Sequence, residues 1–107
     1  MPDGDTHAVG AFIFFIFYFI LSLILAEKDD LLLQFIAGLF VSQLGGSMPD
    51  IIEPPTWPGH RGVFHYGVGF LTFIPALLLI TSTNLLSFSI GSFSVGYFSH
   101  FILDVYG

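Results

Sequence analysis

The chain contains four long apolar runs, at residues 8–26, 31–48, 63–80 and 85–103, separated by polar segments. A helix that crosses a bilayer needs about 20 mostly apolar residues, within a range of about 17 to 25. Each run has that length, although Gln34 and Gln43 weaken the second and Pro75 interrupts the third. Because backbone polar groups inside lipid must bond within their own segment, the runs predict helices despite their many phenylalanines. The pattern predicts an all-α protein, an integral membrane bundle of about four transmembrane helices that forms one domain over residues 1–107.

The composition agrees with a chain that lies mostly in lipid. Of the 107 residues 54% are hydrophobic and 9% are charged, whereas a soluble domain carries about 25% charged residues. The absence of cysteine excludes disulfides and thiolate metal sites. Lys28 and Arg61 are the only basic residues against eight acidic ones, so we expect membrane lipid and no nucleic acid as a partner. Four spans in so short a chain form a minimal bundle, which is consistent with a homo-oligomer.

An even number of spans places most of the ionisable residues on one side of the membrane. The first helix leads away from the side where the chain begins, the second returns to it, and the fourth returns again. The residues expected on that side are all four histidines, the loop residues and the carboxylate near the end of the chain: His7, Asp50, Glu53, His60, Arg61, His65, His100 and Asp104. The far side receives only residues 27–30 and the Thr/Ser/Asn turn at 81–84, which argues against an ion transport path.

His100 and Asp104 are four residues apart on the fourth predicted helix, so they share a face. An imidazole and a carboxylate in this arrangement can bind one divalent ion. Ser92 and Gly96 continue the same line, and small residues let a neighbouring helix approach closely. We therefore expect this face to point into the bundle, although a polar helix end without a metal would show the same two residues.

The segment His-Arg-Gly-Val-Phe-His at residues 60–65 is the densest polar motif. His60 and His65 lie on either side of Gly62, whose backbone freedom would let both imidazoles reach a common centre. Neutral imidazole is a common ligand for zinc and similar ions. Arg61 can bind a phosphate with two parallel hydrogen bonds, and the alternative for it is an anchor to lipid headgroups.

Asp50 and Glu53 lie among prolines, which we expect to end the second helix at about residue 48 and to stiffen a surface loop. Asp50 is a candidate oxygen ligand. Glu53 is a candidate further ligand or general base, with a solvated loop acid as the alternative. His7 directly precedes the first span. It is a candidate ligand because it lies on the same side of the membrane as the other histidines.

Taken together, these motifs resemble a known family. The chain has His7 before a span, Gly-Ser-Met-Pro-Asp at 46–50, the HRGxxH block at 60–65 and the HxxxD pair at 100–104. This order is similar to that of the small membrane-bound metal-dependent hydrolases, whose bacterial members are described as LexA-binding inner-membrane proteins. That family is remotely similar to zinc-dependent phospholipase C. The resemblance implies a metal-dependent hydrolase of the cell (inner) membrane with these ligands: His7, Asp50, His60, His65, His100 and Asp104.

The leading hypothesis is a phosphoesterase-like hydrolase that acts on a lipid or another amphipathic phosphoester, with Arg61 holding the phosphate and Glu53 accepting a proton. Zinc is the expected cofactor, with manganese and iron as alternatives for a His/Asp/Glu ligand set. Two further hypotheses remain from the residues alone. One is a non-enzymatic metal site with a structural or sensing role, and the other is a membrane interaction protein without tight metal.

Overall fold

The computed structural model describes residues 4–28, 30–52 and 67–106, and these residues are helical with short connections. The helices are α1 (Gly4–Leu25), α2 (Leu31–Ile52), α3 (Val68–Leu71), α4 (Phe73–Leu78) and α5 (Leu85–Tyr106). Among the described residues, three segments are long and apolar enough to cross a membrane: Thr6–Leu25, Leu31–Ile52 and Leu85–Val105. Residues 63–66 of the third predicted span lie outside the described residues.

The third apolar run is interrupted at Thr72, where α3 ends and α4 begins. Pro75 has no N–H to donate to the carbonyl of Leu71, so the helical bonding is broken one turn before the proline. The hydroxyl of Thr72 donates instead to the carbonyl oxygen of Gly69 at 2.6 Å. The predicted interruption is therefore observed, with the break on the N-terminal side of Pro75.

The prediction that prolines end the second helix near residue 48 is wrong, because α2 continues through Pro49 to Ile52. A proline inside a helix removes one bond, here the bond to the carbonyl of Gly45. The turn beyond it carries Asp50 toward α1 and α5, where its carboxylate meets two histidines. Asp50 thus lies on a helix rather than in a loop.

Helices α2 and α5 pack closely because glycines meet backbone where they cross. A Cβ atom on Gly96 would overlap the carbonyl oxygen of Ser42, and a Cβ atom on Gly45 would overlap that of Phe93. Ser92, one turn before Gly96, is fully buried. The prediction that the Ser92–Gly96 line faces the bundle interior is therefore confirmed.

An aromatic core joins α1, α2 and α5 away from the candidate site. Phe15 and Phe88 are fully buried, and their ring centroids lie 6.3 Å apart. Phe19 contacts Phe35 of α2 edge to face at 5.0 Å. Such edge-to-face pairs add about 0.5–1.5 kcal/mol to the burial of the rings, so this cluster anchors the relative positions of the three long helices.

At the end of the molecule opposite His7, two side chains donate hydrogen bonds to the turn before α5. The ammonium group of Lys28 donates to the carbonyl oxygen of Ser82 at 2.9 Å and lies 3.6 Å above the centre of the Phe88 ring. The amide of Gln34 donates to the carbonyl oxygen of Thr83 at 2.6 Å. Lys28 and the amide nitrogen of Gln34 therefore connect α2 and the turn before it to the turn that precedes α5.

Candidate metal centre

The structure brings four of the eight predicted site residues together at one end of the bundle. His7 lies in the first turns of α1, Asp50 in the last turn of α2, and His100 and Asp104 in the last turns of α5. Because α1 leads away from this end while α2 and α5 return to it, residues separated by up to 97 positions become neighbours. Glu53, His60, Arg61 and His65, the other four predicted site residues, lie outside the described residues.

Asp104 bridges the two histidines of the cluster. One carboxylate oxygen, Oδ1, lies 3.1 Å from Nε2 of His7, and the other, Oδ2, lies 3.1 Å from Nε2 of His100. The Asp104 side chain is fully buried, and the exposed fraction of His7 is only 4%. The i, i+4 relation of His100 and Asp104 therefore gives the shared face that the sequence predicts.

Asp50 forms the more open side of the same cluster. Its carboxylate lies 3.6 Å from Nε2 of His100 and 3.9 Å from Nδ1 of His7. The Asp50 side chain is 30% exposed, whereas the His100 side chain is fully buried. One nitrogen or oxygen atom from each of His7, Asp50 and His100 lies within 4.8 Å of the others, so this group could hold a metal ion.

A backbone hydrogen bond fixes the tautomer of the neutral His100 ring. Nδ1 of His100 lies 2.6 Å from the carbonyl oxygen of Gly46. A carbonyl can only accept, so Nδ1 carries the proton, and in the neutral ring the lone pair is on Nε2. Histidines that bind metals commonly donate their second N–H to a backbone carbonyl in this way, which orients the ring and fixes its tautomer.

Nε2 of His100 and the carboxylates that face it need a proton or a metal ion between them. In the neutral ring its lone pair faces the carboxylate oxygens of Asp104 at 3.1 Å and of Asp50 at 3.6 Å, and groups that only accept repel one another at such distances. A second proton on His100, a proton on one of the two carboxyl groups or a metal ion removes the repulsion. The His7 and His100 rings are stacked with centroids 3.6 Å apart, which disfavours charging both rings with protons.

The spacing of the donor atoms suits a small divalent ion. Zinc binds imidazole nitrogen and carboxylate oxygen at about 2.0–2.2 Å, so tetrahedral ligand atoms lie about 3.3 Å apart. The contacts of His100 Nε2 with Asp104 and Asp50, at 3.1 and 3.6 Å, lie on either side of that value. Nδ1 of His7 is buried, makes no hydrogen bond among the described residues and lies toward Asp50. The residues present therefore fit a divalent metal ion.

A small cavity adjoins the cluster between α1 and α2. It has a volume of about 70 Å³ and is lined by His7, Ala8, Gln43, Gly46, Ser47 and Asp50. A water molecule occupies about 30 Å³ in the liquid, so the cavity can contain an ion with one or two waters. A catalytic metal site keeps one position for water or substrate beside its protein ligands, and this cavity has room for it.

Two residues of this centre were not recognised as site residues in the sequence. Gly46 accepts the His100 bond through its carbonyl, and Gln43 lines the cavity while its amide donates to the carbonyl oxygen of Ala8 at 2.9 Å. Both lie on the same face of α2 as Asp50, four and seven residues before it. That spacing was the available signal, but it becomes informative only once α2 is known to continue past Pro49.

Comparisons with protein-family models, with curated protein sequences and with solved structures find no match to this chain. The resemblance to membrane-bound hydrolases therefore remains a hypothesis that rests on the sequence motifs. The geometry of the cluster is independent of that resemblance, since it follows from the positions of three helices.

Proposed function

We propose that this chain is an integral protein of the cell (inner) membrane that binds a divalent metal ion at one membrane surface and hydrolyses a phosphoester there. The observation that carries the proposal is the His100 ring, which donates to a backbone carbonyl through Nδ1 while Nε2 faces two carboxylates. Zinc is the first candidate, and manganese and iron suit the same nitrogen and oxygen ligands.

The membrane assignment rests on the three long apolar helices and on their exposed surfaces. Large apolar side chains such as Phe17, Ile24 and Leu86 are each at least 70% exposed, which is unfavourable in water and neutral in lipid. The short apolar stretch Val68–Leu78 packs against α5. We propose that it belongs to the third of four transmembrane crossings, which would put both ends of the chain on the side of the metal centre.

A catalytic role is favoured over a purely structural one by the open side of the centre. Structural zinc sites are closed by four protein ligands, whereas catalytic sites keep a position for water or substrate. Asp50 is partly exposed and the cavity of about 70 Å³ lies next to it. A structural role is the second candidate, because the cluster already connects α1, α2 and α5 and a bound ion would strengthen that connection.

The proposed reaction is the addition of water across a phosphoester bond. The water oxygen attacks phosphorus, the bond between phosphorus and the ester oxygen breaks, and the leaving alcohol takes up the proton that water gives. A bound divalent ion would supply Lewis-acid activation of the water and of the phosphoryl group. His7, Asp50 and His100 would hold the ion and leave a position for water, and Asp104 would orient the two imidazole rings. In this proposal Arg61 binds the substrate phosphate and Glu53 accepts the proton, with His60 and His65 as further ligands.

The first test compares two matched substitutions of aspartate by asparagine. Asp104→Asn removes the negative charge between the two histidines and keeps the shape of the side chain. Asp30→Asn is the control, because Asp30 lies at the far end and caps α2 through the N–H of Leu33, a role that asparagine also fills. Metal content of the detergent-purified proteins is measured by mass spectrometry after incubation with zinc or manganese.

We expect the metal affinity of Asp104→Asn to fall by tenfold or more, since even outer-shell partners of metal ligands contribute about 10- to 100-fold. The Asp30→Asn control should retain the metal of the wild type. Hydrolysis of p-nitrophenyl phosphate should follow the metal content. Folded wild-type protein that takes up neither ion would refute the metal centre. Metal-loaded protein that hydrolyses no phosphoester would refute the catalytic role and favour the structural one.

A further inference from the structure

An apolar groove runs along the outer face of α2 and meets the cavity of the candidate metal centre. The groove has a volume of about 540 Å³, and its walls are formed by Ile36, Leu39, Phe40, Gln43, Leu44 and Ser47. Gln43 and Ser47 also line the metal-site cavity. The two spaces therefore share a wall, and we call the larger one the α2 groove.

The α2 groove changes from apolar to polar toward the metal centre. Ile36 and Phe40, toward the far end, are exposed apolar side chains. The polar side chains of the groove are those of Gln43 and Ser47, at the end where it meets the cavity. A ligand that fills the α2 groove and the metal-site cavity would therefore have an apolar chain in the groove and a polar head in the cavity.

The length of the α2 groove matches one half of a bilayer. Ile36 and Ser47 are eleven residues apart, which corresponds to about 16 Å along a helix axis. The hydrocarbon core of a bilayer is about 30 Å thick, so one leaflet contributes about 15 Å. An acyl chain of a lipid in the leaflet next to the metal centre has this length and direction.

Two other apolar grooves on the described part of the chain lack this connection. One lies between α1 and α5 beside Gly10 and Leu103, and the other lies among α1, α4 and α5 beside Phe73 and Phe98. Neither shares a lining residue with the metal-site cavity. Lipid can contact all three surfaces in a membrane, but of the three only the α2 groove shares lining residues with the metal-site cavity.

We infer that the α2 groove binds one acyl chain of a membrane phospholipid whose phosphate reaches the metal-site cavity past Gln43 and Ser47. This inference rests on the proposed function and specifies its substrate class. The substrate enters sideways from the bilayer, so the reaction does not depend on a phosphoester dissolved in water. Gln43 is held in place by its bond to the carbonyl of Ala8 and lies where the chain and the head of the lipid meet.

The test fills the α2 groove and compares the result with an equivalent change elsewhere on the same helix. Leu44→Trp places a large ring in the groove, where Leu44 is 43% exposed, and Leu33→Trp makes the same change outside it, where Leu33 is 45% exposed. Both proteins and the wild type are reconstituted in phosphatidylcholine vesicles that contain phosphatidic acid. After gentle detergent extraction, native mass spectrometry counts the phosphatidic acid retained per chain, together with diacylglycerol, the lipid that its hydrolysis leaves, and reports the oligomeric state and the bound metal.

We expect wild type and Leu33→Trp to retain phosphatidic acid. Leu44→Trp should retain at least about tenfold less, which corresponds to about 1.4 kcal/mol, because the indole ring occupies the space along α2 that the acyl chain would fill. The rate on phosphatidic acid relative to the rate on water-soluble p-nitrophenyl phosphate should fall by a similar factor in Leu44→Trp alone.

Equal retention of phosphatidic acid by wild type and Leu44→Trp would overturn the inference. A dimer that Leu44→Trp dissociates, with no bound lipid, would also overturn it and identify a second copy as the occupant. Retention that depends on the α2 groove, in a protein that hydrolyses neither ester, would support lipid binding and refute the hydrolase proposal.

Discussion

Replacing Gly96 with alanine is expected to force α2 and α5 apart. The new Cβ atom would overlap the carbonyl oxygen of Ser42, and it would lie 2.7 Å from the carbonyl carbon of Ser42 and 3.0 Å from the amide nitrogen of Gly46. All three atoms belong to the backbone, so no change of rotamer relieves the contact. The helices must separate until these atoms reach ordinary contact distances.

The expected loss of stability follows from two opposing effects. Overpacking in a close-packed interior costs about 1–3 kcal/mol, and backbone neighbours put Gly96 at the upper end of that range. Alanine is the better helix former by about 1 kcal/mol, so the net loss is about 2 kcal/mol. The same separation moves Gly46 away from His100, whose Nδ1 donates to it at 2.6 Å, and we therefore expect weaker metal binding as well.

Gly10→Ala provides the matched control at the same end of the bundle. Its Cβ atom would meet only the end of the Leu103 side chain, which can adopt another rotamer, so we expect a change within about 1 kcal/mol. Unfolding in mixed dodecyl maltoside and sodium dodecyl sulfate, followed by far-ultraviolet circular dichroism, measures both variants. If Gly96→Ala were as stable as Gly10→Ala and bound metal as the wild type does, the close crossing of α2 and α5 would be refuted.

Two further substitutions test how the remaining helices are held. Tyr18→Phe removes the hydroxyl that donates to the carbonyl oxygen of Ala76 at 2.7 Å, in the last turn of α4, and should cost about 0.6–1.7 kcal/mol as other hydrogen bonds between membrane helices do. Normal stability in the same unfolding assay would show that this bond does not anchor α4. Lys28→Met keeps the apolar stem but removes the bond to Ser82 and the contact with the Phe88 ring, so we expect a loss of about 1–2 kcal/mol. Glu27→Gln serves as the control, because Glu27 is the exposed neighbour of Lys28. An equal loss of stability in the two variants would contradict the role of Lys28.

The helical architecture and the gathering of ionisable residues at one end could both be predicted from the sequence. Long apolar runs permit only helices in lipid, and counting spans places His7, Asp50, His100 and Asp104 on one side. The structure describes three of those runs as long helices and brings these four residues into one cluster. Glu53, His60, Arg61 and His65 remain predictions.

The rotation of each helix could not be predicted in the same way. In water a polar face marks the outside of a helix, but lipid is as apolar as the core, so the pattern of apolar residues carries little information about which face is buried. Phe15 is fully buried and Phe17, two residues later, is 70% exposed. Only the packing of the helices distinguishes them.

The set of helices and the side on which the ionisable residues lie can be inferred from the sequence, because both follow from the length and the number of the apolar runs. The contacts between atoms of different helices are defined by the packing of the helices. The crossing at Gly96 brings the carbonyl of Gly46 to His100, and the continuation of α2 past Pro49 brings Asp50 to the histidines. These contacts depend on ångström-scale approaches between separate helices, which no local pattern in one helix encodes.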